Sequence, residues 1–176
     1  MHITRAGQGE GLQVVTDFVT IKASARETSG KILVMEVIVP PGGGPPVLHR
    51  HESSEVFYIL EGEFELSTVV SGQLISALAK AGDTLAIPSM AWHNFKNIGT
   101  APGKVLAIHS PTGLEKFARE IGTPINGTVQ SPGVSAPPSE SERERIMSII
   151  EKYVEIMPIE TIPTEYAPLT VILPGC

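Results

Sequence analysis

The chain has 176 residues and a formal net charge of −6 with no run of basic residues, so a face for nucleic acid or for anionic lipid is not expected. Hydrophobic residues make up 41% of it and charged residues 18%, a balance typical of one globular domain and not of a disordered chain. It lacks a signal-like apolar start and any stretch long enough to cross a bilayer, and its one cysteine, Cys176, excludes an internal disulfide framework. We therefore expect a cytoplasmic protein with no membrane partner.

A series of short strands is predicted for residues 12–110. The runs between turns are rich in Val, Ile and Thr, which favour strands, and the turns contain Gly or Pro, as at Ser71-Gly72. The predicted strands are 12–22, 31–40, 47–51, 55–60, 64–70, 73–78, 84–87, 92–97 and 104–110. Many short strands at this spacing predict an all-β fold, built as an antiparallel sandwich or barrel.

The chain changes character after the last predicted strand. Apolar residues at helical spacing predict a helix over residues 113–121, with Thr112 capping its start and Gly122 ending it. We therefore divide the chain into a β-barrel domain, residues 1–110, and a C-terminal helical extension and tail, residues 111–176, packed on the barrel.

A second helix is predicted within this extension. Ser139 and Glu142 have the spacing of a capping box, so a helix is expected over about residues 140–153. Residues 123–138 are rich in Pro, Gly and Ser and are expected to form a linker or a long surface loop. The proline-containing tail, residues 155–176, is expected to lie across the barrel or a partner subunit.

Three potential metal ligands occur close together in the chain. His49 and His51 are two residues apart, a spacing that places both imidazoles on the same face of a strand, and Glu55 keeps the same parity. A fourth candidate, His93, begins a strand after the proline turn at Pro88. In a closed barrel that strand can lie opposite the first, so the four side chains can meet around one cation.

These two segments resemble the two motifs of the cupin family. The first motif is matched at Gly43, His49, His51, Glu55 and Gly62, and the second at Gly82, Pro88, His93 and Asn97. The resemblance covers about residues 12–110 and implies a double-stranded β-helix, the cupin jelly-roll barrel. It also implies that His49, His51, Glu55 and His93 are the metal ligands. Such a ligand set suits one divalent transition metal per chain, Fe, Mn, Ni, Cu or Zn.

One position departs from the family pattern. The second motif usually has Gly where this chain has Met90, and that Gly suits a turn with positive φ, which is costly for Met. We therefore predict a slightly different turn over residues 88–91.

Four further residues are candidates to line a substrate pocket. Phe57 and Phe95 share the parity of Glu55 and His93, although plain core packing explains them equally well. Ile59 has the same parity on the Glu55 strand. His109 is a single histidine in a strand, and a structural or solvent role is favoured over a pocket role.

Three functions remain open at this stage. Small cupins of this kind are similar to quercetin-dioxygenase-like proteins, which favours a dioxygenase for an enol, catechol or hydroxy-acid-like small molecule. A non-redox isomerase, lyase or decarboxylase is the alternative, with Glu55 as a possible catalytic base. A non-enzymatic small-ligand-binding cupin is the third. A homodimer is expected, because barrels of this family commonly pair and an exposed sheet edge is a liability for a monomer.

Overall fold

The computed structural model describes residues 1–125 and 139–158, together with the backbone of residues 166–168. Of these residues, 46% lie in strands and 15% in helices, which confirms the predicted all-β class. The strands are β1 (Glu10–Val14), β2 (Asp17–Ala23), β3 (Leu33–Val39), β4 (His49–Arg50), β5 (Ser54–Glu61), β6 (Glu63–Val70), β7 (Gln73–Lys80), β8 (Thr84–Ile87), β9 (His93–Asn97), β10 (Gly103–Ser110), β11 (Thr123–Pro124), β12 (Glu155–Ile156) and β13 (Tyr166–Pro168). The helices are α1 (Leu114–Ile121) and α2 (Glu140–Tyr153).

The described strands form two sheets that face each other. The seven-stranded sheet has the order β11-β1-β2-β3-β10-β5-β8, and the six-stranded sheet has the order β12-β4-β9-β6-β7-β13. Neighbouring strands are antiparallel except for β7 and β13. The chain changes sheet between β4 and β5, two strands that follow each other closely in sequence. This arrangement is the predicted jelly-roll barrel.

Alternation along the strands builds the core between the sheets. On β3, Leu33, Met35, Val37 and Val39 are buried, whereas the residues between them are half-buried on the other face. The β10 strand alternates in the same way. Apolar residues from both sheets and from α1 join one continuous core, so the barrel interior is filled by side chains.

The predicted strand over residues 12–22 is wrong in one respect, because the structure divides it into the hairpin β1–β2. Val14 pairs with Asp17, so Val15 and Thr16 form a two-residue turn. Val15 has a φ of 55°, a conformation that β-branched residues rarely adopt. The turn lacks Gly, Pro and Asn, so no residue type in the sequence marks it.

The first helix follows its predicted bounds but not its predicted cap. The N-cap residue of α1 is Gly113 and no side chain caps it; the Thr112 hydroxyl instead reaches the carbonyl oxygen of Gly30 at 3.5 Å. The predicted end is confirmed, since Gly122 is the C-cap residue and its N–H donates to the Ala118 carbonyl.

The second helix begins with the predicted capping box. The Ser139 side chain accepts from the N–H of Glu142, and the Glu142 carboxylate accepts from the N–H of Ser139 at 2.8 Å. Lys152 near the helix end pairs with Glu120 of α1 at 2.9 Å, which holds the two helices together. Neither described helix is long and apolar enough to span a membrane.

The C-terminal segment adds a strand to the barrel. The β12 strand pairs with β4, with Ile156 opposite His49, and the N–H of Met157 donates to the carbonyl of Leu48 at 2.9 Å. Most of the predicted linker, residues 126–138, lies outside the described residues, as does most of the tail beyond Met157. The division of the chain at residue 110 stays a prediction.

The glycine-rich loop before β4 lies against the end of β9. The N–H of Gly42 donates to the carbonyl of Asn97 at 2.9 Å, and the N–H of Asn97 donates to the carbonyl of Gly43 at 3.0 Å. Gly44 has a φ of 108°, and a Cβ atom built there would overlap the carbonyl oxygen of Phe95. This position therefore requires glycine for both its dihedral angle and its space.

We predict that Gly44→Ala destabilises the protein more than Gly42→Ala does. Gly42 also has a positive φ, of 74°, but no atom lies within 4 Å of an added Cβ. Its substitution should cost roughly 1–2 kcal/mol for the left-handed conformation alone. The Gly44 substitution adds a backbone overlap and should cost about 3 kcal/mol or more. Urea denaturation of both variants measures the difference, and equal losses would contradict the close approach.

Candidate metal centre

Two of the four predicted ligands lie on neighbouring strands of the six-stranded sheet. His49 of β4 is directly opposite His93 of β9 in the ladder, and their ring centroids are 4.4 Å apart. Directly opposed residues of an antiparallel pair share one face of the sheet. Strand register therefore brings together two imidazoles that are far apart in the sequence.

The other two predicted ligands lie on the connection between the sheets and on the facing sheet. His51 follows β4, and its ring centroid is 5.1 Å from that of His93. Glu55 lies on β5, and its Oε1 is 3.0 Å from Nε2 of His51 while its Oε2 is 3.3 Å from Nε2 of His93. The structure thus brings the four sequence-predicted residues together between the two sheets.

Three imidazoles form the compact part of this cluster. One ring nitrogen from each of His49, His51 and His93 lies within 4.8 Å of the other two. Nitrogen atoms bound to one ion at about 2.1 Å are roughly 3.0–4.2 Å apart, so the three rings would have to move only slightly closer together to bind one ion. The spacing fits a single transition-metal ion.

Backbone carbonyls orient two of the rings. Nδ1 of His49 lies 3.2 Å from the carbonyl oxygen of Val47, and Nδ1 of His93 lies 2.8 Å from that of Ala91. Donation from Nδ1 leaves the lone pair on Nε2, which then points away from the backbone. Metal-binding histidines are commonly held in this way by their second ring nitrogen.

Several buried polar atoms in the cluster have no hydrogen-bond partner among the residues that the structure describes. These atoms are both ring nitrogens of His51, both ring nitrogens of His109, and Oε2 of Glu55. The nitrogen–oxygen distances around Glu55 are short enough for hydrogen bonds, but the directions are not those of hydrogen bonds. Buried polar atoms without partners beside three clustered imidazoles fit a metal site, because an ion would supply a missing partner.

The protonation states of His49 and Glu55 also suit metal binding, whereas His93 would have to give up any proton on Nε2 to coordinate. Burial, together with repulsion from His93, lowers the pKa of His49 to about 4, so this ring is neutral near pH 7. Burial alone would raise the pKa of Glu55, but contacts from His109, His51 and His93 hold it well below its usual value. Burial acts to lower the pKa of His93, yet the Glu55 contact outweighs it and raises that pKa. A neutral imidazole and an ionised carboxylate are the forms that coordinate a metal.

His109 is a fourth histidine in contact with this cluster. Its Nδ1 lies 3.0 Å from Oε1 of Glu55, and the side chain is buried. The sequence predicts a structural or solvent role for His109 in preference to a pocket role. Its contact with Glu55 was not predicted, since parity along one strand does not reveal which residue of another strand it opposes. Its place in a pocket stays a prediction.

The aromatic pocket candidates pack behind the cluster. The Phe57 and Phe95 rings meet edge to face at 5.3 Å, and Phe57 and Ile59 belong to the hydrophobic core. Asn97, the last residue of the second motif, is fully buried and donates to the carbonyls of Val39 and Ala101, both at 2.9 Å. These contacts hold the strand that carries His93, and the pocket role of the aromatic residues stays a prediction.

The turn before β9 differs from the prediction. Met90 has a φ of 61°, so this position keeps the left-handed conformation and the expectation of a different turn is wrong. The N–H of Met90 donates to the carbonyl of His51 at 2.9 Å, which ties the second motif to the first. This hydrogen bond offsets part of the conformational cost of a methionine at positive φ.

A groove of about 410 Å³ opens beside the cluster and reaches it at His51. Other residues of its lining are Arg50, Ser53, Met90, Leu114 and Tyr153. Arg50 is paired with Glu155 at 2.8 Å and lies over the Trp92 ring at 4.4 Å, so its charge is already engaged. The groove lies between the barrel and the end of α2, and His51 is the residue of the cluster that lines it.

We predict that Met90→Gly raises the free energy of unfolding by up to about 1 kcal/mol, because glycine removes the cost of the left-handed conformation. Met147, which is similarly exposed but lies within α2, provides the matched control. Met147→Gly should lower stability by about 1 kcal/mol, since glycine is unfavourable inside a helix. Urea denaturation measures the free energy of unfolding of both variants. A loss of stability in Met90→Gly would contradict the conformational cost assigned to Met90.

Comparison with known proteins gives two relatives that this chain matches in part. Quercetin 2,3-dioxygenase of Bacillus subtilis is 28% identical over 151 residues, which cover 85% of this chain and 42% of that protein. An uncharacterized protein of Methanocaldococcus jannaschii is 40% identical over 77 residues, covering 43% of this chain and 58% of the relative. The chain therefore spans about two fifths of the length of the first and under two thirds of the second.

The family comparison and the comparison with solved structures both indicate a cupin fold. Residues 35–109 match the family described as Cupin domain, and this range contains both motifs. The crystal structure of oxalate decarboxylase from Lactobacillus farciminis in complex with formate aligns with a TM-score of 0.51 at 25% identity, covering 58% of this chain and 31% of that one. With its two facing sheets and its cluster of His49, His51 and His93, the chain contains a cupin domain over residues 35–109.

Proposed function

We propose that this cupin is a metal-dependent dioxygenase for a small molecule with enol, catechol or hydroxy-acid-like oxygens. The observation that carries the proposal is that the half-buried imidazole of His49 and the buried imidazoles of His51 and His93 cluster beside a buried carboxylate, where several polar atoms lack hydrogen-bond partners among the described residues. The similarity to a quercetin 2,3-dioxygenase over most of this chain supports the reaction class. In this proposal His49, His51, Glu55 and His93 are the metal ligands.

The proposed ligand set leaves room for reactants. A bound Fe, Mn, Ni or Cu ion would act as a Lewis acid and as a redox partner for O2. Four protein ligands on a six-coordinate ion leave two positions, enough for one substrate oxygen and O2 or for a chelating pair of oxygens. Backbone carbonyls hold the imidazoles of His49 and His93 at Nδ1. Because these two rings keep a fixed orientation, the two open positions on the ion would keep a fixed direction as well.

The groove beside His51 supports a small neutral or singly charged substrate. Among the described residues no lysine or arginine is buried, and Arg50 in the groove lining is paired with Glu155. A dianion bound at the centre would lack a second positive partner there. The chain also resembles an oxalate decarboxylase. Because a dianion would lack a second positive partner, that resemblance supports a decarboxylase of a small dicarboxylate less strongly than the dioxygenase is supported.

Glu55 is proposed as a ligand in preference to a general base. The predicted base role needs a pKa above the usual carboxyl value, so that a proton can be taken and held near pH 7. Contacts from His109, His51 and His93 instead keep the pKa of Glu55 low, against the effect of burial. The catalytic-base role of Glu55 stays a prediction.

Metal content and oxygen consumption test this proposal. Protein purified without added metal is expected to contain about one transition-metal ion per chain, and His49→Ala should lose nearly all of it because one of three clustered imidazoles is gone. His2→Ala is the matched control, since His2 is exposed and bonds to Thr4. Elemental analysis measures the content, and equal loss in both variants would contradict the site.

Reconstitution then separates the reaction classes. With an enolic or catecholic substrate, O2 uptake is expected for Fe, Mn, Ni or Cu protein and not for Zn protein, because Zn is not redox-active. Turnover with Zn and without O2 would favour the isomerase, lyase or decarboxylase alternative. A ligand that binds the centre and is recovered unchanged would favour the non-enzymatic alternative.

A homodimer and a cytoplasmic location are part of the same proposal. Val56 and Tyr58 alternate with inward-facing residues of β5 and leave apolar area exposed on the outer face of the seven-stranded sheet. The molar mass in solution, measured by light scattering over a range of concentrations, should be that of two chains. A mass of one chain at high concentration would contradict the dimer.

A further inference from the structure

We propose that His109 is a positioning residue of the metal centre, which holds the Glu55 carboxylate through its Nδ1 and leaves the other carboxylate oxygen for the metal. The inference deepens the proposed function and rests on the metal centre described there. It assigns a role to an imidazole that lies outside both sequence motifs, which end at Asn97.

Strand register places His109 beside the carboxylate. In the ladder between β10 and β5, His109 is directly opposite Glu55. Residues of β10 at alternate positions from Gly103 to His109 are buried, so the imidazole faces the barrel interior. Its Nδ1 is 3.0 Å from Oε1 of Glu55. The contact therefore arises from the backbone pairing of two central strands and not from a surface loop.

The His109 imidazole is buried without a well-formed hydrogen bond among the described residues. Only 3% of His109 is exposed, and within the described part of the chain neither of its ring nitrogens has a hydrogen bond of good geometry. A buried polar group without a partner is costly. Because Nδ1 is already at hydrogen-bond distance from Oε1 of Glu55, a small rotation of the ring is sufficient to direct its N–H at the carboxylate.

His109 reaches the centre through Glu55 and not as a ligand of its own. The ligand atoms that lie within 4.8 Å of one another come from His49, His51 and His93; neither a nitrogen of His109 nor an oxygen of Glu55 belongs to this group. The Glu55 carboxylate contacts His51 and His93 of the group as well as His109, so it connects His109 to the clustered imidazoles. A donor in that place is an outer partner of a metal ligand.

Metal binding makes this donor more important. When Nε2 of His51 and of His93 gives its lone pair to a metal, neither nitrogen can donate a proton to Glu55. His109 then remains as the nearby ring nitrogen that can donate, and it contacts Oε1. Oε2, which has no hydrogen-bond partner in the described part of the chain, would then be free to bind a metal.

The surroundings of His109 strengthen this contact. The Phe57 ring stands edge-on to the imidazole, with centroids 6.5 Å apart and planes at 83°. On the other side of β10, His109 is opposite the fully buried Leu33 of β3. Apolar neighbours keep water from competing for the carboxylate, so the His109 contact fixes the rotation of the Glu55 side chain.

Cobalt binding to the full chain tests the role without any substrate. Co(II) affinity is measured by competition with a chelator, and the visible absorption of bound Co(II) reports the number and arrangement of its ligands. His109→Leu should weaken Co(II) binding by about 10–100-fold, as expected for loss of an outer partner, and should change the spectrum. A role in folding alone would not move the spectrum.

Two conservative variants separate the hydrogen bond from the shape of the side chain. The amide N–H of asparagine falls near the position of Nδ1, whereas that of glutamine falls near Nε2. His109→Asn is therefore expected to restore affinity and spectrum close to those of the wild type, and His109→Gln is not. Val105→Ala, on the same strand and equally inward-facing, should lower thermal stability and leave Co(II) affinity and spectrum unchanged.

The outcomes distinguish this inference from the proposed reaction. Wild-type affinity and spectrum in His109→Leu would overturn it, and so would equal behaviour of the Asn and Gln variants, which decide the matter if the Leu variant does not fold. Failure of the wild type to bind Co(II) would remove the metal centre and this inference together. Normal cobalt results without O2 uptake by redox-metal protein would overturn only the dioxygenase.

Discussion

A buried carboxylate surrounded by imidazoles, between two sheets, is the interaction on which the rest of this structure depends. Glu55 is 4% exposed, and among the described residues no buried lysine or arginine accompanies it. An ionised group in such a place is expensive unless charge and hydrogen bonds compensate it. Here the compensation comes from His51, His93 and His109, which reach the carboxylate from both sheets and from the connection between them.

The order of the strands in the two sheets makes this convergence possible. The chain leaves the six-stranded sheet after β4 and enters the seven-stranded sheet at β5, so a short segment carries candidate ligands to both sides of the barrel. Ser53, at the end of this crossing, is buried and donates to the carbonyl of Pro111 at 2.8 Å. The Met90 N–H holds the carbonyl of His51 from the other side. The crossing is thus fixed by hydrogen bonds at both ends.

Much of the barrel and part of the candidate centre could be predicted because local spacing determines them, whereas the place of His93 was implied by the resemblance to the cupin family. The spacing of two predicted that His49 and His51 lie together, and their ring centroids are 5.9 Å apart although the strand ends at Arg50; turn residues also separate most strands correctly. Capping chemistry at Ser139 likewise fixed the start of α2. In each case the physical cause acts between residues that are close in the sequence.

Features set by distant contacts could not be predicted in this way. The pairing of His109 with Glu55 depends on the order of strands in the sheet, which no single strand encodes. Val15 and Met90 adopt positive φ because the surrounding ladder requires a turn there, against the preference of each side chain. Thr112 was a suitable cap by type, but the chain direction at the end of β10 turns its hydroxyl toward Gly30 instead.

The pairing of β12 with β4 has a consequence for how the chain can vary. Without Glu155 and Ile156, the two-residue strand that bears His49 would be an outermost strand with unpaired amides, held only by β9. A segment that follows α2, far from His49 in the sequence, thus shields the backbone of a candidate ligand from solvent and from foreign strands. Trimming or fusing the chain near that segment would loosen an imidazole and not merely a tail.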